Sequence, residues 1–199
     1  TTGRPKGVTY SHRGIVLHTM MQSQADTMGF RERDVVLAMV PMFHANCWGV
    51  PFSAAMVGAS QVLPGVRPDP QAICELIQGQ RVTLALGVPT IWVGILDHVE
   101  KSGLDLDFSS LREVLSGGSA VPSSLIKAYK DKLGVDLVHA YGMTEGTPIV
   151  AYNRRVSALD GLSDEEKLAL AGKQGMLVSG LETRLVDEEG NDLSWDGES

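Results

Sequence analysis

Five short segments that read as strands, separated by segments with helical signals, constrain the fold of this 199-residue chain more than any other feature. The clearest is Val35-Val36-Leu37-Ala38-Met39-Val40, a continuous apolar run broken by Pro41, which reads as a strand buried on both faces. Gln61-Val62-Leu63, ended by Pro64-Gly65, is a second, and residues 82–86, 112–116 and 135–140 supply three more. A helix capped by Ser11, with Ile15, Val16, Met20 and Met21 as its apolar residues and Gly29 as its stop, precedes the first. Residues 48–57, mostly apolar around Pro51, predict a buried helix. Asp69-Pro70 opens the next, with Ile73, Leu76 and Ile77 on its apolar side. Pro89 and Pro122 start two more, which end near Gly103 and Gly134. Five strand–helix repeats predict an α/β fold, a mostly parallel sheet flanked by helices on both faces.

Ligands of such sheets bind beyond the carboxyl ends of the strands. That rule brings His44, Gly87-Val88-Pro89, Ser116-Gly117-Gly118-Ser119 and residues 141–145 to one rim, although they are far apart in the chain. After Thr147 the character changes. Ser163 followed by Glu166 fits a capping box on a short charged surface helix. Residues 181–186 alternate partly and 187–191 form a turn, which predicts the start of an antiparallel β unit at the C-terminus.

Charge and cysteine content narrow the function classes. A net charge of −7 argues against a nucleic-acid partner or a polybasic membrane patch. No apolar run reaches transmembrane length, so stable membrane insertion is not expected. Cys47 and Cys74 make no disulfide framework and read as small buried hydrophobes, and a soluble, cytoplasmic setting is the default expectation.

Three glycine-bearing segments carry chemistry. Thr1-Thr2-Gly3-Arg4-Pro5-Lys6-Gly7 combines hydroxyls, turn-forming glycines and a lysine, a composition suited to phosphate. It is not a Walker A loop, because Lys6 is followed by Gly7. Ser116-Gly117-Gly118-Ser119-Ala120 allows close backbone approach to a flat ligand, or serves as a strand–helix connector. Val121 excludes a nucleophile elbow. Tyr141-Gly142-Met143-Thr144-Glu145 places an aromatic face, a hydroxyl and a carboxylate within five residues. A magnesium ion needs few protein carboxylates when phosphate oxygens are present, so one Glu is sufficient; the other reading is a turn with a solvated Glu.

These segments, with Pro41-Met42-Phe43-His44, resemble four ordered motifs of the adenylate-forming enzymes, the superfamily of acyl-CoA synthetases, luciferases and peptide-synthetase adenylation domains. Met42-Phe43-His44-Ala45-Asn46-Cys47-Trp48 and the segment from Ser163 to Gly175 resemble most closely the medium- and long-chain fatty-acyl-CoA synthetases, and the pattern is shared with ligases of short sulfur-containing acids. The resemblance implies ATP and coenzyme A as co-substrates, magnesium as cofactor and a small carboxylic acid as substrate. It implies that Thr1, Thr2, Gly3 and Lys6 hold the β- and γ-phosphates. Gly117, Gly118, Ser119 and the backbone of His139, Ala140, Tyr141, Gly142 and Met143 would surround adenine, with Tyr141 stacked on it. Thr144 would contact the α-phosphate, and Glu145, with Thr1, the metal. His44 and Ala45 would sit beside the acyl carboxylate, and Trp48, Val88 and Pro89 would border the acyl pocket.

The same resemblance predicts a nucleotide- and acyl-binding core over residues 1–152, a connecting segment over 153–175 and the start of a β subdomain over 176–199. The family's ribose-binding Asp, hinge and C-terminal-domain lysine would lie beyond Ser199, so the expectation is an internal piece of the large N-terminal domain, catalytically incomplete alone. A homodimer is left open. The alternatives are adenylation of an aryl, amino or short sulfur-containing acid, and a non-catalytic nucleotide-binding module.

Overall fold

The computed structural model describes residues 6–104, 106–154 and 156–196. Seven strands form one sheet in the order β2-β1-β3-β4-β5-β6-β7. The first five, β1 (Val35–Ala38), β2 (Ser60–Val62), β3 (Leu84–Gly87), β4 (Glu113–Ser116) and β5 (Leu137–Gly142), run parallel. Two antiparallel strands, β6 (Ile149–Tyr152) and β7 (Met176–Leu177), extend the sheet beyond β5.

Alternation along the strands splits the core between two faces. Leu37, Ala85, Val114 and Leu137 point to one face, packed with α4 (Pro70–Gly79), α5 (Pro89–Ser102) and α6 (Ser123–Ala128). There Trp92 and Tyr129 meet edge to face, with ring centroids 6.1 Å apart. Trp92 Nε1 also donates to Gly87 O, which ties α5 to the carboxyl end of β3. Val36, Leu84, Leu86, Leu115 and Ala140 point to the other face, against Met21 of α1 (His12–Gln22), Trp48, and Val50 and Ala54 of α3 (Val50–Val57).

An ion pair closes the amino-terminal end of the sheet. Asp34 is buried and accepts from Arg112 at 3.2 Å, from Thr83 Oγ1 and from Arg31 N. Burial alone would raise this carboxyl, but the Arg112 guanidinium, the Thr83 hydroxyl and the Arg31 N–H hold it below its ordinary value. Arg112→Met would leave Asp34 buried without its cation. It is expected to cost about 3 kcal/mol of stability, read by thermal denaturation of the full-length protein at pH 7. A group with a depressed folded pKa stabilises above its unfolded pKa, and that stabilisation disappears as pH falls through the folded value. The variant's deficit should therefore narrow in acid.

Two sequence readings differ from the structure in instructive ways. The helix expected over 48–57 is divided at Gly49, which takes the left-handed conformation (φ 76°). In α1 the buried residues are His18, Thr19, Met21 and Gln22, whereas Val16, Leu17 and Met20 face outward. The capping box is present: Ser163 N donates to Glu166 Oε2 at the start of α7 (Asp164–Ala171). The turn at 187–191 closes a single bridge between Val186 and Asp192.

Candidate nucleotide and acyl site

The strand order 2-1-3-4-5 reverses direction between β1 and β3, and the parallel strands all end on the same rim. The chain leaving β5 is folded back sharply. Met143 N donates to Pro148 O at 2.9 Å, and residues Thr144–Gly146 form one 3-10 turn between them. A Cβ at Gly142 would lie 2.5 Å from Pro148 O, so this crossing of two backbones needs glycine. Tyr10, just before α1, donates its hydroxyl to Thr144 O at 2.5 Å. Burial, then the negative charge of Glu145, raises the Tyr10 hydroxyl pKa and keeps it a donor.

A second segment follows β1. Ala45–Trp48, labelled α2 here, is one helical turn in which all four residues have positive φ (46° to 55°). L-residues pay roughly 1 kcal/mol each for this conformation. Specific bonds offset the cost. Cys47 Sγ donates to Val40 O at 3.1 Å, and Gln22 Nε2 donates to Trp48 O at 2.8 Å. Burial pushes the Cys47 thiol up to about 11, so it stays protonated as that donor.

The third segment is the glycine pair after β4. A Cβ at Gly117 would lie 2.9 Å from Ala140 O and 3.4 Å from Trp48 Cη2; one at Gly118 would touch Val88 Cγ1 and Trp48 Cζ2. The absent side chains let the Trp48 ring lie across the turn.

Together these segments enclose a cavity of about 220 Å³. His44, Ala45 and Trp48 form one wall, Gly117 and Gly118 the floor, and Ala140, Gly142, Met143 and Thr144 with Pro148 and Ile149 the other wall. Nine of the residues singled out in the sequence therefore meet in one cavity. The others lie around it. Val88 packs beside Gly118, and Pro89 is buried at the start of α5. Ser119, Tyr141 and Glu145 are exposed on the rim. The buried His139 directs Nδ1 toward Gly172 O, away from the cavity, while its backbone carbonyl accepts from Asn153 N. Lys6 is exposed, and Thr1, Thr2 and Gly3 lie outside the described residues. Among the described residues no group of three or more His, Cys, Asp or Glu stands together to hold a metal ion.

Sequence reasoning missed Tyr10, His18, Gln22, Pro148 and Ile149. Burial lowers the pKa of His18 to about 4, so the ring is neutral near pH 7, and its Nε2 accepts from Ile149 N at 3.2 Å. The available signal was the pair of polar residues His18 and Gln22, four apart and therefore on one face of the helix, in a segment that also carries Ile15, Val16, Leu17, Met20 and Met21.

The family model described as AMP-binding enzyme matches residues 1–199. The chain belongs to this family. Among its curated relatives in the family, a long-chain-fatty-acid–CoA ligase of Thermus thermophilus is 46% identical over 199 residues, all of this chain and 36% of that one. A 3-methylmercaptopropionyl-CoA ligase of Ruegeria lacuscaerulensis is 46% identical over 197 residues, 99% of this chain and 36% of that one. The fold is that of a solved anthranilate CoA ligase in complex with anthranoyl-AMP, with a TM-score of 0.81 at 29% identity over 98% of this chain and 35% of that chain. The chain thus spans about a third of the length of the curated relatives it matches. Among the described residues no helix is long and apolar enough to cross a membrane.

Proposed function

We propose that the protein containing this chain is an ATP-dependent acid–thiol ligase that activates a medium- or long-chain fatty acid as acyl-AMP and passes the acyl group to coenzyme A. The observation that carries the reading is the meeting of three segments in one cavity. A glycine floor suits a flat base, Thr144 supplies a hydroxyl for a phosphate, and His44 with Trp48 supplies a polar-to-apolar wall for an acid. The kinship to a fatty-acid–CoA ligase supports the acid class.

In the first half-reaction a carboxylate oxygen attacks the α-phosphorus, the bond to the β-phosphate oxygen breaks, and pyrophosphate leaves. In the second the thiol sulfur attacks the acyl carbonyl, the bond to the AMP oxygen breaks, and the thiol proton passes to solvent. The first step brings two anions together and expels a third, so the work of the protein there is positioning and charge neutralisation. In this reading Thr144, which lines the cavity, bonds the α-phosphate, and Lys6, an exposed cation, neutralises the outer phosphates. The single exposed carboxylate of Glu145 fits magnesium, a hard cation that completes its shell with phosphate oxygens and water. When bound, the ion would neutralise charge on the β- and γ-phosphates.

The test is an assay of the full-length protein with coenzyme A, ATP and acids of graded length, with aryl acids and short thioether acids alongside. The expected result is a maximum of kcat/KM among fatty acids of medium or long chain. A maximum at a short thioether or aryl acid would overturn the acid class, and ATP binding without acid-dependent turnover would overturn the enzyme reading.

A further inference from the structure

Helix α1 exposes Val16, Leu17 and Met20, and beside Met21 it buries the polar residues His18, Thr19 and Gln22. A buried Gln and a buried neutral His are costly unless their bonds are made. Here both are made, and they reach opposite walls of the same cavity. Gln22, fully buried, donates Nε2 to Trp48 O, and its Oε1 accepts from Ser53 Oγ of α3. One helical turn earlier, His18 accepts from Ile149 N, while its ring edge packs on Gly49 so tightly that a Cβ there would lie 2.9 Å away. Trp48 and Ile149 line the cavity from its two sides.

We propose that His18 and Gln22 are positioning residues which together fix the width of the cavity, with α1 as the rigid bar between its walls. Gln22 holds the left-handed turn Ala45–Trp48 and so the Trp48 ring; His18 holds the start of β6 and so the Thr144 loop. Neither touches a reacting atom. The left-handed turn needs such a hold, because its four residues would otherwise relax toward ordinary backbone conformations. The selectivity part of this proposal rests on the acyl-site reading above; the positioning part does not.

The test uses the full-length protein with Gln22→Met, Ser53→Ala, His18→Leu and His18→Gln. Gln22→Met keeps the shape and removes both bonds, and Ser53→Ala removes only the support of Gln22. Amide hydrogen exchange over residues 44–49 should accelerate at least tenfold in Gln22→Met and less in Ser53→Ala, with other core segments unchanged. With acids of graded length, kcat/KM for the preferred acid should fall about tenfold in Gln22→Met, the length preference should broaden, and KM for ATP should stay within about twofold. His18→Leu should speed exchange at residues 147–151, and His18→Gln, which restores an acceptor, should recover most of the protection.

Unchanged exchange over 44–49 in a folded Gln22→Met protein would overturn the proposal. So would equal losses for acid and ATP that track a global loss of stability. If Gln22→Met does not fold, Ser53→Ala carries the same test by the same two readouts. If exchange accelerates while no carboxylic acid is turned over even by the unmodified protein, the positioning role stands and the acyl-site reading fails.

Discussion

Replacing Glu145 by alanine in the full-length protein is expected to lower acid-dependent pyrophosphate release by about a hundredfold or more, the scale on which removal of one preorganised electrostatic group acts. The side chain is exposed on the one-turn helix that follows β5, so its loss should change stability by less than about 0.5 kcal/mol. The defect should therefore appear in the rate at saturating ATP and magnesium, with an unchanged melting temperature. Glu145→Gln should be similarly impaired, because the amide keeps the shape and loses the charge. A rate within twofold of the unmodified protein would remove Glu145 from the site.

Gly117→Val is expected to damage both binding and folding. A Cβ at this position falls 2.9 Å from a backbone oxygen, Ala140 O, which cannot swing aside as a side-chain tip could, and 3.4 Å from the Trp48 ring. The extra methyls of valine must enter the cavity floor or displace Trp48. Overpacking of this kind costs about 1–3 kcal/mol of stability. Filling the floor should weaken ATP binding at least tenfold, which is about 1.4 kcal/mol. Calorimetric titration with ATP and thermal denaturation of the same preparation would separate the two effects. Wild-type ATP affinity in Gly117→Val would show that the glycine floor does not hold the base.

The parallel sheet was legible because β1 carries a run apolar enough for burial on both faces, because strand and helix signals alternate after it, and because Pro and Gly punctuate every crossover. Once the strand ends were located, topology alone placed His44, Gly117 and Thr144 on one rim. Local backbone geometry was not legible. Ala45, Cys47 and Trp48 carry no sign of a left-handed turn, since that conformation is imposed by bonds from Gln22 and to Val40, distant in sequence. The buried face of α1 was misread for a related reason. Hydrophobicity predicts burial of Val16 and Met20, but the helix is turned by the hydrogen bonds of its polar residues. Strand β6 was missed because the run Ile149-Val150-Ala151-Tyr152 is short and follows a polar turn. Its place beside β5 depends on the backbone crossing at Gly142, a contact with no local signature.

The central claim is that this rim joins a carboxylate to the α-phosphorus of ATP. The most direct measurement supplies the full-length protein with a fatty acid labelled with oxygen-18 in its carboxyl group, together with ATP and coenzyme A, and weighs the AMP by mass spectrometry. Attack by the carboxylate, followed by thiol displacement at the acyl carbon, leaves one labelled oxygen on AMP. AMP carrying one oxygen-18 per turnover is the predicted result. Unlabelled AMP, or label recovered in inorganic phosphate, would contradict it.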